Sequence, residues 1–142
     1  MVTTPLKVIN VPGGDVFHGM KATEETFRGF GEAYFSTIEP DAIKPWKRHN
    51  LMTLNLIVIV GAIRFVVYDP REYSPTNGQL GEYILGPEAS YARLTVPPKV
   101  WMAFQGMSTS TSILLNIADI LHDPLEIDRV ELGNVKYEWG RQ

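Results

Sequence analysis

The sequence predicts an all-β fold, an antiparallel jelly roll that forms a single domain over residues 1–142. Short apolar runs rich in β-branched residues recur along the chain, and turns rich in Gly and Pro separate them. No segment shows the 3.6-residue periodicity of a long helix. Strands at short, regular spacing with such turns are typical of a sandwich or jelly roll. With 44% apolar residues, the chain can bury a substantial core.

The first predicted strands precede the most apolar part of the chain. Residues 6–11 alternate and end at the turn Pro12-Gly13-Gly14-Asp15, and residues 32–38 alternate and end at Glu39-Pro40-Asp41. Residues 54–60 and 63–68 are dominated by Val, Ile and Leu, with Gly61-Ala62 between them. Since Gly supplies the positive φ of a two-residue turn, this stretch predicts a central β-hairpin buried on both faces.

The second half of the chain contains four more predicted strands. They cover residues 80–85, 91–96, 100–104 and 112–120. A polar loop over residues 73–78 precedes them, Pro97-Pro98 interrupts the ladder between the second and third, and residues 106–111 form a turn before the last.

Composition excludes several functional classes. The chain has no cysteine, so it has no disulfide framework and no thiolate chemistry. A net charge of -3 without a basic stripe argues against nucleic acid as a partner. Residues 51–68 are apolar, but Asn55, Gly61 and Arg64 and the many β-branched residues favour the hairpin over a membrane span. No secretory signal is visible at the N-terminus, and we expect a cytoplasmic location.

The candidate catalytic residues lie in the segment Trp46-Lys47-Arg48-His49, which leads directly into the apolar hairpin. Because side chains alternate along a strand, Lys47 and His49 share a face and Arg48 points the other way. Removal of a proton next to a carbonyl needs a base with a pKa near neutral and a donor for the developing oxyanion. His49 fits the first role, and Lys47 or Arg48 fits the second. The alternative is that these are solvated residues at a strand end, with His49 bonded to a backbone carbonyl.

Arg48 and five further residues are candidate substrate contacts. Trp46 and Trp101 each adjoin a proposed cavity position and carry a flat face and a donor. Arg64 is a charge inside an apolar strand, so it reaches an edge, pairs with a carboxylate, or meets a ligand phosphate. Gln105 and Asn116 are polar positions in apolar strands that either line a cavity or bond to each other.

Several motifs along the chain resemble one enzyme family. They are Gly13-Gly14-Asp15-Val16-Phe17, Gly31-Glu32-Ala33-Tyr34-Phe35-Ser36, Trp46-Lys47-Arg48-His49, Val60-Gly61-Ala62-Ile63, Asp69-Pro70-Arg71 with Ser74-Pro75-Thr76-Asn77-Gly78, Val96-Pro97-Pro98-Lys99-Val100-Trp101, and Asp123-Pro124. Together they are similar to the dTDP-4-dehydrorhamnose 3,5-epimerase family, within the cupin superfamily. The resemblance implies a β jelly roll, a homodimer, and activity on a nucleotide-linked 4-keto-6-deoxy sugar without a metal or organic cofactor.

The resemblance also assigns roles to particular positions. It places the catalytic base at His49. The family's lysine, which is thought to help stabilise the enolate, corresponds to Leu54, and the tyrosine that acts as the general acid corresponds to Asn116. Both residues are therefore replaced in this chain. The aspartate that pairs with the catalytic histidine is expected beyond the end of this chain.

A metal-dependent cupin is the competing enzyme class. Its site needs three histidines and a carboxylate, but the corresponding positions read Lys47, His49, Thr53 or Leu54, and Met102. We therefore expect no metal. The sequence favours a cofactor-independent isomerase that uses His49. The alternatives are a sugar-nucleotide or carbohydrate-binding protein that has lost proton transfer, and a structural dimer without a ligand.

Overall fold

The structure, a computed structural model, describes residues 1–140, and its regular secondary structure is almost entirely β-strand. The strands in chain order are β1 (Val2–Pro5), β2 (Val8–Ile9), β3 (Val16–Phe17), β4 (Glu32–Ile38), β5 (Ile43–His49), β6 (Leu54–Val60), β7 (Ile63–Tyr68), β8 (Leu80–Leu85), β9 (Ala92–Val96), β10 (Trp101–Gly106), β11 (Ser112–Ala118) and β12 (Ile127–Arg129). Two short 3-10 turns cover Pro124–Glu126 and Leu132–Asn134. Within this part of the chain, no helix has the length and hydropathy to cross a membrane.

Ten of the strands form two five-stranded antiparallel sheets that face each other. Sheet 1 has the order β1-β9-β6-β11-β4, and sheet 2 has the order β12-β5-β10-β7-β8. The remaining strands, β2 and β3, pair as a small separate ribbon. The predicted all-β jelly roll is confirmed, because sheets with such sequence-distant neighbours are the product of jelly-roll connections.

The predicted central hairpin is wrong in its pairing, although both strands have the expected bounds. β6 pairs with β9 and β11 in sheet 1, whereas β7 pairs with β8 and β10 in sheet 2. Gly61, with φ of 82°, lets the chain cross from one sheet to the other. The backbone N–H of Ala62 is satisfied by Ser112 Oγ at 3.3 Å rather than across a turn. Continuous apolar runs favour burial on both faces, which this sheet-to-sheet corner also provides.

We expect Gly61→Ala to destabilise the protein by about 1–3 kcal/mol because it forces an L side chain into positive φ. A Cβ at this position would also lie 2.3 Å from Ser112 Oγ. Urea unfolding measures the loss. Gly133→Ala is the matched control, since a Cβ there would have no heavy atom within 4 Å. Equal midpoints for the two variants would contradict this account of the corner.

The N-terminal strand differs from the expectation as well. Instead of one strand over residues 6–11, β1 pairs with β9 at the edge of sheet 1 and β2 pairs with β3. Pro5 is compatible with this edge position, where one side of the strand needs no ladder donor. β5, which carries the candidate site, runs from Ile43 to His49 and is held between β10 and β12.

Most of the core lies between the two sheets, but a second apolar cluster covers the outer face of sheet 2. It is centred on the buried residues Trp46, Val66 and Ala103. The chain after β12 returns over this face, and its Trp139 ring packs 6.1 Å from the ring of Trp46. Arg64 also lies beneath this segment and donates to the backbone oxygen of Trp139 at 2.6 Å.

The loop after β7 is organised by the carboxylate of Asp69, which is fully buried. Arg71 donates to it from Nε and from a terminal nitrogen, both at 2.8 Å, and the Ser74 hydroxyl donates at 2.6 Å. Thr76 donates to the same carboxylate. The Asp-x-Arg and Ser-Pro-Thr motifs therefore form one hydrogen-bonded unit that fixes the loop.

Candidate functional site

A cavity of about 280 Å³ lies between the two sheets and contains the candidate catalytic segment. One part of its wall is apolar and is formed by Leu54, Leu56, Met102, Phe104 and Leu114. A second part is polar or charged and is formed by Tyr34, Ser36, Lys44, Lys47, His49, Asn116 and Arg129, and Pro45 and Trp46 complete the lining. An apolar cavity with a few convergent polar groups is the usual form of a small-molecule site.

β5 directs Lys47 and His49 into this cavity and Arg48 away from it. The Arg48 guanidinium lies 4.6 Å from the centre of the Trp101 ring and pairs with Asp128 at 2.8 Å on the opposite face. The predicted alternation along the strand is confirmed. Arg48 and Trp101, both predicted substrate contacts, instead interact with each other outside the cavity.

His49 is held by a carboxylate at one ring nitrogen and free at the other. Its Nδ1 lies 2.9 Å from Glu126 Oε1, and both side chains are about 96% buried. An ionised carboxylate only accepts hydrogen bonds, so Nδ1 carries the proton and Nε2 the lone pair. Nε2 is buried without a hydrogen-bond partner among the described residues.

Burial lowers the pKa of the His49 imidazole, because desolvation disfavours its charged form. The hydrogen bond and the charge of Glu126 act in the opposite direction, and the positive charge of Lys47 adds to the lowering. The ring is therefore neutral near pH 7. A neutral imidazole with a free nitrogen can accept a proton without first losing one.

Glu126 corrects the expectation that the carboxylate partner lies beyond the chain. It closes the 3-10 turn Pro124–Glu126, whose cap Asp123 accepts from the backbone of Leu125 at 3.0 Å. Its carboxylate also accepts from the backbone N–H groups of Asn50 at 3.1 Å and Met52 at 3.3 Å. Sequence reasoning missed this residue because no local pattern links positions 77 apart. The preceding Asp123-Pro124 turn was the one signal.

Three cations gather at the same part of the cavity. Arg129 of β12 is opposite Lys47 in the strand register. Lys44 joins them because a bulge in β5 leaves Lys44 and Lys47 facing Phe104 and Met102 on the same side. Simple alternation would put Lys44 and Lys47 on opposite faces, so Lys44 was not predicted. Arg129 was missed because its strand, β12, was not predicted. Burial lowers the pKa of Lys47, and the charges of Arg129 and Lys44 add to this effect.

The wall opposite β5 is supplied by sheet 1. Asn116 of β11 lies in the cavity wall, which was one of the two alternatives for this residue, and its Nδ2 donates to the Tyr34 hydroxyl at 2.9 Å. Tyr34 of β4 is its direct cross-strand neighbour. Sequence reasoning did not select Tyr34, because it resembles any other aromatic residue of an alternating strand.

The other predicted substrate contacts lie elsewhere. Gln105 is fully buried and bonds to Arg64 rather than to Asn116, because the two strands that carry Gln105 and Asn116 belong to different sheets. Arg64 takes Gln105 and a backbone oxygen as partners in place of a carboxylate or phosphate. Trp46 borders the cavity, but its indole belongs to the outer cluster and donates to the Leu132 oxygen at 3.1 Å. Among residues 1–140, no three His, Cys, Asp or Glu side chains form a group suited to a metal ion.

Comparisons with known proteins agree with this fold. A crystal structure of a dTDP sugar isomerase from Desulfovibrio desulfuricans superposes with a TM-score of 0.92 at 37% identity, covering 97% of this chain and 89% of the other. A dTDP-6-deoxy-D-glucose-3,5-epimerase from Legionella pneumophila, in complex with dTDP-4-keto-L-rhamnose, superposes with a TM-score of 0.79 at 18% identity over 90% of this chain and 71% of that one. The second likeness shows the fold alone.

The chain is also similar in sequence to part of a curated protein. A probable low-salt glycan biosynthesis epimerase of Haloferax volcanii is 30% identical over 92 residues, which is 64% of this chain and 58% of that relative. The chain thus matches little more than half the length of this relative. No family model matches the sequence. On the strength of the 37% identity over nearly the whole chain and the TM-score of 0.92, the chain belongs to the same family as this dTDP sugar isomerase.

Proposed function

We propose that this protein is an isomerase that epimerises a nucleotide-linked 4-keto-6-deoxy sugar by removing a proton next to the keto group. The observation that carries the proposal is the free Nε2 of His49, which is backed by Glu126 and borders a cavity shared with Lys47. The catalytic residues are then His49 as the base and Lys47 as the cation that stabilises the enolate oxygen.

The arrangement suits this chemistry in physical terms. A positioned base contributes roughly 10²–10⁴-fold to proton transfer from carbon. Lys47, on the same face of β5, can place its charge near the oxygen on which negative charge develops, where low polarity strengthens the interaction. Lys44 and Arg129 supply further positive charge at the same part of the cavity, and we assign them to the diphosphate of the nucleotide.

Solvent deuterium exchange tests the proposal directly. We expect the protein, incubated in D₂O with a dTDP-linked 4-keto-6-deoxy hexose, to exchange the proton next to the keto group, as measured by mass spectrometry or proton NMR. A binding protein is the alternative, because Leu54 and Asn116 occupy the positions where the resemblance places a lysine and a tyrosine. Saturable binding of such sugars without exchange would favour that alternative.

We also propose that the protein forms a homodimer through the outer face of sheet 1. Phe35 of β4 is 68% exposed there, and its cross-strand neighbour Leu115 is only half-buried. A second copy that covers this face would remove apolar surface from water. β4, which carries Phe35, is an edge strand of sheet 1.

We expect Phe35→Lys to shift the protein from dimer to monomer, since a charge cannot be buried in an apolar interface without a partner. Sedimentation velocity at micromolar concentration is the measurement. Tyr73→Lys is the control, because Tyr73 is 77% exposed on a loop of the other sheet. A wild-type protein that sediments as a monomer would remove the proposal.

A further inference from the structure

We infer that Tyr34 is the proton donor of this epimerase and that Asn116 is its positioning residue. The inference rests on the proposed function and adds the group that completes the inversion. Sequence reasoning identified no such group, because the resemblance places the family's acid at position 116, where this chain has an amide. In the structure the amide makes its hydrogen bond to a tyrosine on the neighbouring strand.

The orientation of the Asn116 amide is fixed by the backbone of β6. The N–H of Asn55 donates to Asn116 Oδ1 at 3.1 Å, which identifies the oxygen of the amide. The other end of the amide is therefore its NH₂ group, and it donates to the Tyr34 hydroxyl oxygen at 2.9 Å. The pairing of β6 with β11 ends at Leu56 and Asn116. The Asn116 side chain therefore accepts from the next backbone N–H of β6, that of Asn55, which has no backbone partner in β11.

This arrangement leaves the phenol hydrogen of Tyr34 available to a ligand. The hydroxyl oxygen accepts from Asn116, and the structure gives the hydroxyl no protein acceptor within residues 1–140. Tyr34 is partly buried and lines the cavity. A donor to the phenol oxygen also stabilises the phenolate that remains when the proton is given away.

Tyr34 and His49 lie on opposite walls of the cavity, in sheet 1 and sheet 2 respectively. Inversion at a carbon needs the proton to leave from one face and to return to the other. His49 Nε2 takes the proton, and the bonding pair forms an enolate. The enolate carbon then takes the Tyr34 proton on the opposite face, the keto group reforms, and a phenolate is left. The imidazolium gives its proton to solvent and the phenolate takes one from solvent, so the cycle closes without another reactant.

The geometry distinguishes two roles that the sequence could not separate. Directly opposed residues of an antiparallel pair have Cβ atoms about 4.5–5.5 Å apart, so a tyrosine at 34 and one at 116 address the same part of the cavity. Compared with the position that the resemblance gives for the acid, in β11, the proton donor proposed here lies on the neighbouring edge strand, β4. Asn116 has taken the role of holding it in place.

The test compares exchange with inversion in the intact protein, using a dTDP-linked 4-keto-6-deoxy hexose in D₂O. We expect Tyr34→Phe to retain deuterium exchange within about threefold, because His49 still removes and returns the proton. Formation of the inverted product should fall by at least about 100-fold. Tyr83→Phe is the matched control and should keep both rates, since Tyr83 packs against the core outside the cavity lining.

Two further variants test the positioning role. Asn116→Leu should lower kcat for inversion by about tenfold or more while leaving KM and exchange close to wild type. The double variant Tyr34→Asn/Asn116→Tyr, in which the two residues are swapped, should recover at least a tenth of the wild-type inversion rate. A purely structural role for either residue does not predict this recovery. Circular dichroism melts establish that each variant is folded.

The outcomes separate this inference from the proposed function. Exchange in the wild type together with undiminished inversion in Tyr34→Phe would overturn the role of Tyr34 and leave the proposed function standing. Absence of exchange in the wild type would overturn the proposed function and this inference with it. Loss of exchange and inversion together in Tyr34→Phe would also reject the donor role, since a donor acts after the proton has been removed.

Discussion

His49→Asn should reduce exchange of the sugar's α-proton by at least about 100-fold, because it removes the only imidazole among the residues that line the cavity. Asparagine is close in size, and its NH₂ group can replace Nδ1 as the donor to Glu126. The carboxylate therefore keeps a partner, and the loss falls on the transition state. We expect affinity for the sugar nucleotide to stay within about tenfold of wild type.

The exchange assay needs a histidine control and a pH series. His18→Asn removes a histidine that does not line this cavity and should leave exchange unchanged. Because burial lowers the pKa of His49, the base stays neutral into mildly acid solution. The exchange rate should therefore rise with pH through a midpoint below histidine's ordinary value of about 6.5 and then level off. Undiminished exchange in His49→Asn would reject the base assignment.

Asp69→Asn should destabilise the protein by about 3–5 kcal/mol, as expected for removing one partner of a buried ion pair. Asp69 is fully buried, and the Arg71 side chain is 14% exposed, so the pair is largely shielded from water. An amide accepts at one end only and would leave part of the Arg71, Ser74 and Thr76 donors unpaired. Urea unfolding at pH 7 measures the loss.

The same variant should show a characteristic pH dependence. The hydrogen bonds from Arg71, and then those from Ser74 and Thr76, hold the pKa of Asp69 well below its usual range. A carboxyl group with a depressed folded-state pKa stabilises the fold fully above its unfolded pKa of about 3.9, and this contribution is lost as pH falls. The difference in the free energy of unfolding between wild type and Asp69→Asn should therefore be constant above about pH 5. It should become smaller as the pH falls toward about 3.

Asp128→Asn controls for a general effect of removing an aspartate. Asp128 also pairs with an arginine, but its side chain is 45% exposed, so solvent screens the interaction. We expect a much smaller loss for this variant. Similar losses for Asp69→Asn and Asp128→Asn would show that burial of the Asp69 pair does not determine loop stability.

The strands were predictable from the sequence because their cause is local. The Val and Ile runs of β6 and β7 give their bounds correctly, and the alternation of β4 does the same. The pairing of β6 with β7 was wrong, because the choice between a hairpin and a corner depends on partners from distant parts of the chain. Gly61 has positive φ in either case.

The candidate site divides in the same way. His49 and Lys47 could be placed on one face because alternation along a single strand is a local property. Glu126 could not be paired with His49, since their contact requires β12 to pair with β5. Arg64 and Gln105 were selected as polar residues in apolar strands, but a later segment of the chain and a neighbouring strand satisfy them.

The contact between His49 and Glu126 links catalytic competence to the order in which the chain is synthesised. The two residues are 77 positions apart, and the carboxylate belongs to the turn that immediately precedes β12. A nascent chain that has released only the strands before this turn can shape much of the cavity, yet its imidazole has no carboxylate to set the tautomer. Under the proposed function, the base is therefore complete only after β12 has docked on β5, and activity requires this late part of the chain.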